Sequence, residues 1–441
     1  MGHMTGQEAE AWLAGLINVE RLPDRRRARF SLGPVKRLLE ELGNPQDGLR
    51  VLHIAGSKGK GSTALYAEAL LSAAGLSVGT FTSPHLQSWV ERFRIDSASV
   101  AGDRLGVAIA RLRPVVEKLR MESDAPSFFD ATTAAALLLF AEAKVDVAIL
   151  EVGLGGRLDS TNIVKPSVTC ITSIELEHTE ILGSTLAAIA TEKVGIAKSG
   201  VPLVMGPLPD EAKDVVRARC AEIGAPLVEL GLDVCVEIEE QAGPCVVMRV
   251  RDGEHEVRAS LGAPGAHQAS NAALALACVK RLGVVSGEQL AADAPRVLEA
   301  LRLPARVEIL SERPWVVVDA AHTVASAQAL AAALARLPHR HGHFVLSVST
   351  GKDLPGIVEA LLPFAESVIA TQAEPARSMP AEELAGALRA LASQTDVRAV
   401  SEPHQALELA RAETAPDDLL CATGSIYLAG IARAVLAGSA P

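Results

Sequence analysis

The sequence has no CxxC pair and no His-rich spacing; its six cysteines, at 170, 220, 235, 245, 278 and 421, are scattered. That excludes a zinc site and a disulfide framework, and it leaves the cysteines as small buried apolar residues in a reduced compartment. A basic stripe is also missing. With a net charge of −11, the chain is no general nucleic-acid binder, and any phosphate handling must be local. Long hydrophobic runs are absent too, since stretches such as 134–140 are too short to span a bilayer. No secretory signal opens the chain, so the expected location is cytoplasmic, with no membrane partner. Gly2-His3-Met4 reads as a cloning remnant. There is no internal repeat or low-complexity tract beyond an enrichment in alanine, which suits helices.

What is present fits two or three well-packed domains: 441 residues, 49% hydrophobic and 22% charged. The most informative stretch is RVLHIAGSKGKGST, residues 50–63. An apolar run breaks there into a glycine-rich loop and restarts as the helix-forming TALYAEALLSAAG. Such a strand–loop–helix aims backbone N–H groups at one point, where a lysine adds a full positive charge. Gly56, Gly59, Lys60, Gly61, Ser62 and Thr63 are therefore the candidate nucleotide cradle, with the Ser62 hydroxyl placed for a magnesium ion. The loop is short. Only Ser57 and Lys58 separate Gly56 from Gly59-Lys60, two residues where the general phosphate-loop pattern has four.

Further elements follow in alternation. The apolar spacing predicts helices over 32–42, 104–121, 130–143, 186–198 and about 267–282. Strands are predicted over 77–82, 145–152, 166–174 and 201–205, with a polar loop over 87–96. Residues 233–260 change to short strands with glycine turns, a small antiparallel patch. After a linker at 304–314, VVVDAAH, FVLSVS, SVIAT, VRAV and LLCATG each precede a helical segment. The class is α/β: a phosphate-loop ATPase domain over 1–304 with a mostly parallel sheet and the antiparallel patch, then a Rossmann-like α/β domain over 305–441. In such sheets ligands bind at the carboxyl ends of the strands, where the glycine loop, Ser83, Glu151 and His178 all fall.

Single residues carry less. Taken alone, Glu151 reads equally as a paired or solvated strand terminus, Lys193 as a helix-surface lysine, Asp319 as a helix cap, and His267, Gln268 and Asn271 as a capped helix start. Several motifs in order change that weighting. GSKGKGS at 56, TSPHL at 82, EVGLGGRLDSTN at 151, ELEHTEILG at 175, EKVGIAK at 192, HQASNAALALA at 267, DAAHT at 319 and TGSIYLAG at 423 together resemble the folylpolyglutamate synthase and dihydrofolate synthase family, a branch of the Mur ligases.

The resemblance implies an ATP-dependent ligase that joins L-glutamate to a folate carboxylate through an acyl phosphate. It implies Lys60 and Ser62 on ATP phosphates and magnesium, two magnesium sites completed by Ser83, Glu151 and His178, and a carbamylated Lys193 supporting the second metal. A monovalent cation and a monomeric state are implied as well. Asn271 would read the adenine, while Arg306, Asp319 and His322 would reach ATP across an interdomain cleft that closes to exclude water. Catalysis would rest on Lys60, His178 and Lys193, with no protein nucleophile and with His178 as a ligand, not a base. Five positions depart from the family pattern: Ser57-Lys58 for threonine-asparagine, Glu177 for aspartate, Ala320 for glycine and Thr323 for asparagine. Alanine at 320 predicts an ordinary negative φ, and Thr323 can still cap the following helix. Rival readings are a Mur-type ligase joining a non-folate acid to an amino acid, or an inactive nucleotide-binding homologue.

Overall fold

The computed structural model describes residues 4–18, 30–122, 125–392 and 394–437; Gly2 and His3 of the expected remnant lie outside them. The chain divides into two compact units: 1–237 with 249–259 and 270–298, and 238–248 with 260–269 and 299–441.

The first unit is built on eight strands: β1 Val51–Ala55, β2 Val78–Phe81, β3 Phe93–Ile95, β4 Ala98–Ser99, β5 Val147–Glu151, β6 Val168–Ile171, β7 Leu203–Met205 and β8 Leu227–Glu229. Their order is β4-β3-β2-β5-β1-β6-β7-β8, with β3 and β4 antiparallel and the rest parallel. All five residues of β1 and of β5 are buried, as central parallel strands covered on both faces require. One cluster gathers Phe81, Phe93, Leu38, Ile109, Leu137 and Leu150; another gathers Ile171, Ile189, Leu203, Met205 and Val216. Each such side chain, removed from water, contributes about 1.5–3 kcal/mol. Because β1, β2, β5 and β6 run in the same direction, their carboxyl ends bring Gly56, Ser83, Glu151 and the 172–178 loop to one edge.

Strands β9 Val234–Ala242, β10 Cys245–Asp252 and β11 His255–Leu261 form the expected antiparallel sheet, in the order β11-β10-β9. In β10 every second residue is buried at first, the period of a sheet with one covered face. The second unit carries β12 Glu308–Glu312, β13 Trp315–Val318, β14 Gly342–Leu346, β15 Ser367–Ala370, β16 Asp396–Ala399 and β17 Leu419–Thr423, in the order β12-β13-β17-β14-β15-β16. Only β12 is antiparallel to its neighbour.

Three local expectations give way. Residues 308–312 are the edge strand β12, not linker. The 87–96 stretch holds a 3-10 turn, Trp89–Arg92, and then β3; the Glu91 carboxylate accepts the N–H groups of Leu86, Gln87 and Ser88 and so winds the backbone into that turn. The helix predicted to Lys198 stops at Val194. Its end is captured by another segment: Arg157 N–H donates to the Glu192 carbonyl at 2.8 Å, and Asn162 Nδ2 donates to the Gly195 carbonyl at 3.2 Å.

Candidate active site

The glycine loop follows β1 and is stitched to the loop that follows β6. Ser57 N–H donates to the Ser173 carbonyl at 2.8 Å, Lys58 N–H to Ser173 Oγ at 2.8 Å, and Thr172 Oγ1 to the Lys58 carbonyl at 2.6 Å. Gly56 and Gly59 are required by this closeness. Both have positive φ, +149° and +85°, and a methyl group on them would lie 1.9 Å from Thr172 Oγ1 and 2.3 Å from Asn271 Oδ1 respectively. The second contact places Asn271, 8% exposed, directly against the loop.

The helix Lys60–Ala73 starts at Gly59 with no side-chain cap, so the N–H groups of its first turn are left to whatever anion the loop receives. Lys60 Nζ folds over the loop, donating to the Gly56 carbonyl at 2.9 Å and the Ser57 carbonyl at 3.4 Å. Ser62 and Thr63 are buried one turn in. Glu151, 5% exposed at the end of β5, accepts from Ser83 N–H at 3.0 Å, and its carboxylate lies 3.3 Å from where a Gly61 methyl would be. Phosphate loop, Ser83 and Glu151 therefore form one group. His178 has a left-handed backbone, φ +49°, and precedes the short helix Thr179–Leu182.

Burial corrects the surface reading of Lys193. It is 2% exposed, and its Nζ donates to the Gly56 carbonyl and to Glu177 Oε1, each at 3.0 Å. Burial lowers its pKa to about 8; Glu177 opposes this, and the charges of Lys60 and Lys58 reinforce it. For Glu177, burial favours the neutral acid, but Lys193, Lys60, Lys58 and His178 together outweigh it and hold the carboxyl at about 2. Lys58 Nζ stands 3.8 Å from the other oxygen of the same carboxylate. Sequence reasoning missed this ion cluster. Its only signal was that two departures, at 58 and 177, each alter charge or reach near the same loop.

Behind the loop, His53 of β1 is wholly buried, with Nε2 2.8 Å from Thr161 Oγ1, and that hydroxyl donates to Asp159 Oδ1 at 2.5 Å. Asp159 also accepts the N–H groups of Leu154 and Thr161, and burial raises its pKa to about 6. This network orders the 153–162 segment, and the same segment holds the end of the Lys193 helix.

In the second unit, Arg306 Nη1 donates to its neighbour's carbonyl, Ala305 O, at 2.8 Å. Asp319, 7% exposed, is not a helix cap: its two oxygens accept Val307 N–H and Ala321 N–H, both at 2.7 Å. His322 Nδ1 lies 2.8 Å from the Ala320 carbonyl, an acceptor only, so the ring proton sits on Nδ1. Ala320 is not among the residues with positive φ, and Thr323 caps the helix Val324–Leu334 in a capping box with Ser326.

Among the described residues no three His, Cys, Asp or Glu side chains cluster as a metal site, and no helix is long and apolar enough to cross a membrane. The sequence matches the Mur ligase middle domain over residues 54–279 and the Mur ligase glutamate ligase domain over 305–426. It is 33% identical to the dihydrofolate synthase/folylpolyglutamate synthase of Bacillus subtilis over 96% of each chain. It is 34% identical to a probable bifunctional folylpolyglutamate synthase/dihydropteroate synthase of Halobacterium salinarum, of which it spans 48%. The fold superposes on Mycobacterium tuberculosis folylpolyglutamate synthase complexed with ADP with a TM-score of 0.88, at 32% identity over 99% of both chains.

Proposed function

The chain belongs to the folylpolyglutamate synthase and dihydrofolate synthase family of Mur ligases, and on that premise we propose that it is an ATP-dependent ligase adding L-glutamate to the carboxylate of a folate. The observation that carries the reading is the single edge at which an uncapped helix start, Lys60, Ser83 and a buried Glu151 meet. Such a group serves a nucleotide triphosphate; a plain strand-to-helix turn has no use for it.

ATP would lie with its phosphates on the N–H groups of residues 60–62 and the Lys60 ammonium. The substrate carboxylate attacks the γ-phosphorus, the bond to the bridging oxygen breaks, and ADP leaves. The amine of L-glutamate then attacks the acyl-phosphate carbonyl; phosphate departs and the nitrogen loses a proton, leaving an amide. Both partners of the first step are anions, so cations aimed at the charge in transit are the main catalytic need. Lys60 meets it from the protein side.

Ser62, Ser83 and Glu151 offer hard oxygen donors, a set that fits magnesium, and His178 is assigned beside them. Magnesium bound there supplies further neutralisation of the phosphate charge. Lys193 as an unmodified ammonium is a hydrogen-bond donor in an ion pair and does not fit a metal; a carbamate on Nζ would turn it into an oxygen ligand. Asn271 is assigned to the adenine, and on the second unit Arg306, Asp319 and His322 are assigned to the ATP site. A monovalent cation, a monomeric state and a cytoplasmic location complete the proposal.

Phosphate release from ATP, measured with magnesium and L-glutamate over dihydropteroate, tetrahydrofolate and unrelated acids, tests it. Turnover is expected with a pterin acid and dependent on glutamate. Activity with a non-pterin acid alone would sink the folate assignment. For Lys193, activity of the wild type should fall when bicarbonate is removed, and Lys193→Ala should regain activity with short carboxylates; indifference to both rules out the carbamate.

A further inference from the structure

Arg306 lies between two residues whose backbones are held in the left-handed region, Ala305 at φ +52° and Val307 at φ +48°. That region is costly for any residue with a Cβ, and for a β-branched one it is an outlier that survives only where surrounding contacts enforce it. The enforcing contacts are all present. Asp319 Oδ2 accepts Val307 N–H at 2.7 Å. Glu308 Oε2 accepts Ala305 N–H at 2.8 Å and is ion-paired with Arg433 Nε at 2.7 Å. The Ala305 carbonyl accepts Ala320 N–H at 3.1 Å and Arg306 Nη1 at 2.8 Å. The strained turn and the start of the 319–323 loop are thus tied together at two points, Val307 to Asp319 and Ala305 to Ala320, and Arg306 is the central residue of that turn.

Asp319 is the hub of this arrangement. A carboxylate at this depth is expensive unless its oxygens are hydrogen-bonded, and here one oxygen serves Val307 while the other serves Ala321. Asparagine has the same shape but would turn an NH2 group towards one of those two N–H donors. A direct contact with a nucleotide would explain neither the two backbone bonds nor the strain beside them.

We propose that Asp319 is a positioning residue for nucleotide binding, one that acts by fixing the left-handed 305–307 turn and thereby the direction of the Arg306 guanidinium. The inference rests on the reading of Arg306 as a nucleotide ligand. Asp319 and Arg306 are near enough for the arginine to favour the ionised carboxylate, against the opposing effect of burial. Charge and backbone geometry therefore support each other.

A double-mutant cycle on the full chain separates a positioning role from contact. The affinity for ADP is measured by calorimetry for wild type, Asp319→Asn, Arg306→Ala and the double variant, with circular dichroism reporting the fold. Asp319→Asn is expected to weaken ADP about tenfold, the loss of one hydrogen bond to a charged group. In the Arg306→Ala background the same change should cost less than about twofold, because the group it positions is gone. Equal factors in both backgrounds would overturn the proposal and put Asp319 on the nucleotide. Adding Val307→Gly to Asp319→Asn should recover about threefold or more, since glycine adopts the turn without enforcement; no recovery counts against it. Where Asp319→Asn does not fold, Glu308→Ala, which loosens the same turn, carries the cycle: an effect that needs Arg306 is expected, and equal factors in both backgrounds overturn the proposal. A wild type that binds no ADP would sink the ligase reading and this inference together, whereas ADP binding with multiplying effects sinks the inference alone.

Discussion

His53→Leu isolates one titration in the core of the first unit. In the wild type Thr161 Oγ1 donates its only proton to Asp159, so His53 Nε2 must be the donor to Thr161, and Nδ1 is left as a buried acceptor with no partner among the described residues. Protonating Nδ1 would put a charge in a dry site; burial, with a smaller push from the Lys198 ammonium, lowers the pKa from 6.5 to about 3. The unfolded chain therefore binds a proton near pH 6.5 that the folded chain refuses until about pH 3. Stability from this group is complete above pH 6.5 and is lost as pH falls, at about 1.4 kcal/mol per pH unit. Asp159 has the opposite sign. Its folded pKa, about 6, exceeds the unfolded value, so its contribution is full below about pH 3.8 and disappears as pH rises through 6. The two nearly cancel in the wild type between those limits, which is why the comparison with a variant is needed. Leucine keeps the volume and leaves the Thr161–Asp159 bond in place. Urea unfolding at pH 7.5, 6 and 5 should show His53→Leu gaining on the wild type by about 2 kcal/mol between pH 7.5 and 5. A difference independent of pH would refute the buried neutral histidine.

Lys60→Ala should fold normally and lose phosphate release by about 10²–10³-fold or more; unchanged kinetics would refute the phosphate-loop assignment. Glu177→Gln strips the buried Lys193 of its counter-charge, and chemical denaturation at pH 7 should show a loss of about 3 kcal/mol. A variant as stable as the wild type would mean that Lys193 is not held as an ammonium. Thr323→Ala removes the cap of the helix Val324–Leu334 and should cost about 1 kcal/mol in the same assay, with Thr323→Ser restoring most of it.

The parallel sheets and the phosphate loop were legible in the sequence because each depends on neighbours in the chain: an apolar run, a glycine turn, a helical period. What was not legible depends on distant segments. Lys193 reads as surface because its own helix says nothing about the Gly56 carbonyl and Glu177 that enclose it. The His53–Thr161 contact joins residues 108 apart in the chain. The helix before Gly195 ends early because that glycine packs on Arg157, whose Cβ would be 2.4 Å from a methyl placed there. β12 reads as linker because EILSE is half polar and lies between Pro304 and Pro314, yet an edge strand needs only one covered face.

The departures at 58 and 177 become one feature in the folded chain. Lys58 adds a cation and Glu177 extends a carboxylate by one bond, about 1.5 Å, and that carboxylate stands 3.0 Å from Lys193 on one side and 3.8 Å from Lys58 on the other. An aspartate at 177 could not keep both distances without moving its backbone. The longer acid therefore accommodates the extra lysine, and three cations, Lys58, Lys60 and Lys193, share one half-buried anion. Lys58 is about one-third exposed, so its pair is partly screened and is worth about 0.5–1 kcal/mol, not the several of a buried one. Measured as a cycle, Lys58→Asn and Glu177→Asp should couple by that amount, the double variant being more stable than the two single losses predict, because asparagine no longer needs the reach that aspartate lacks. Strictly additive losses would show that the two positions changed independently.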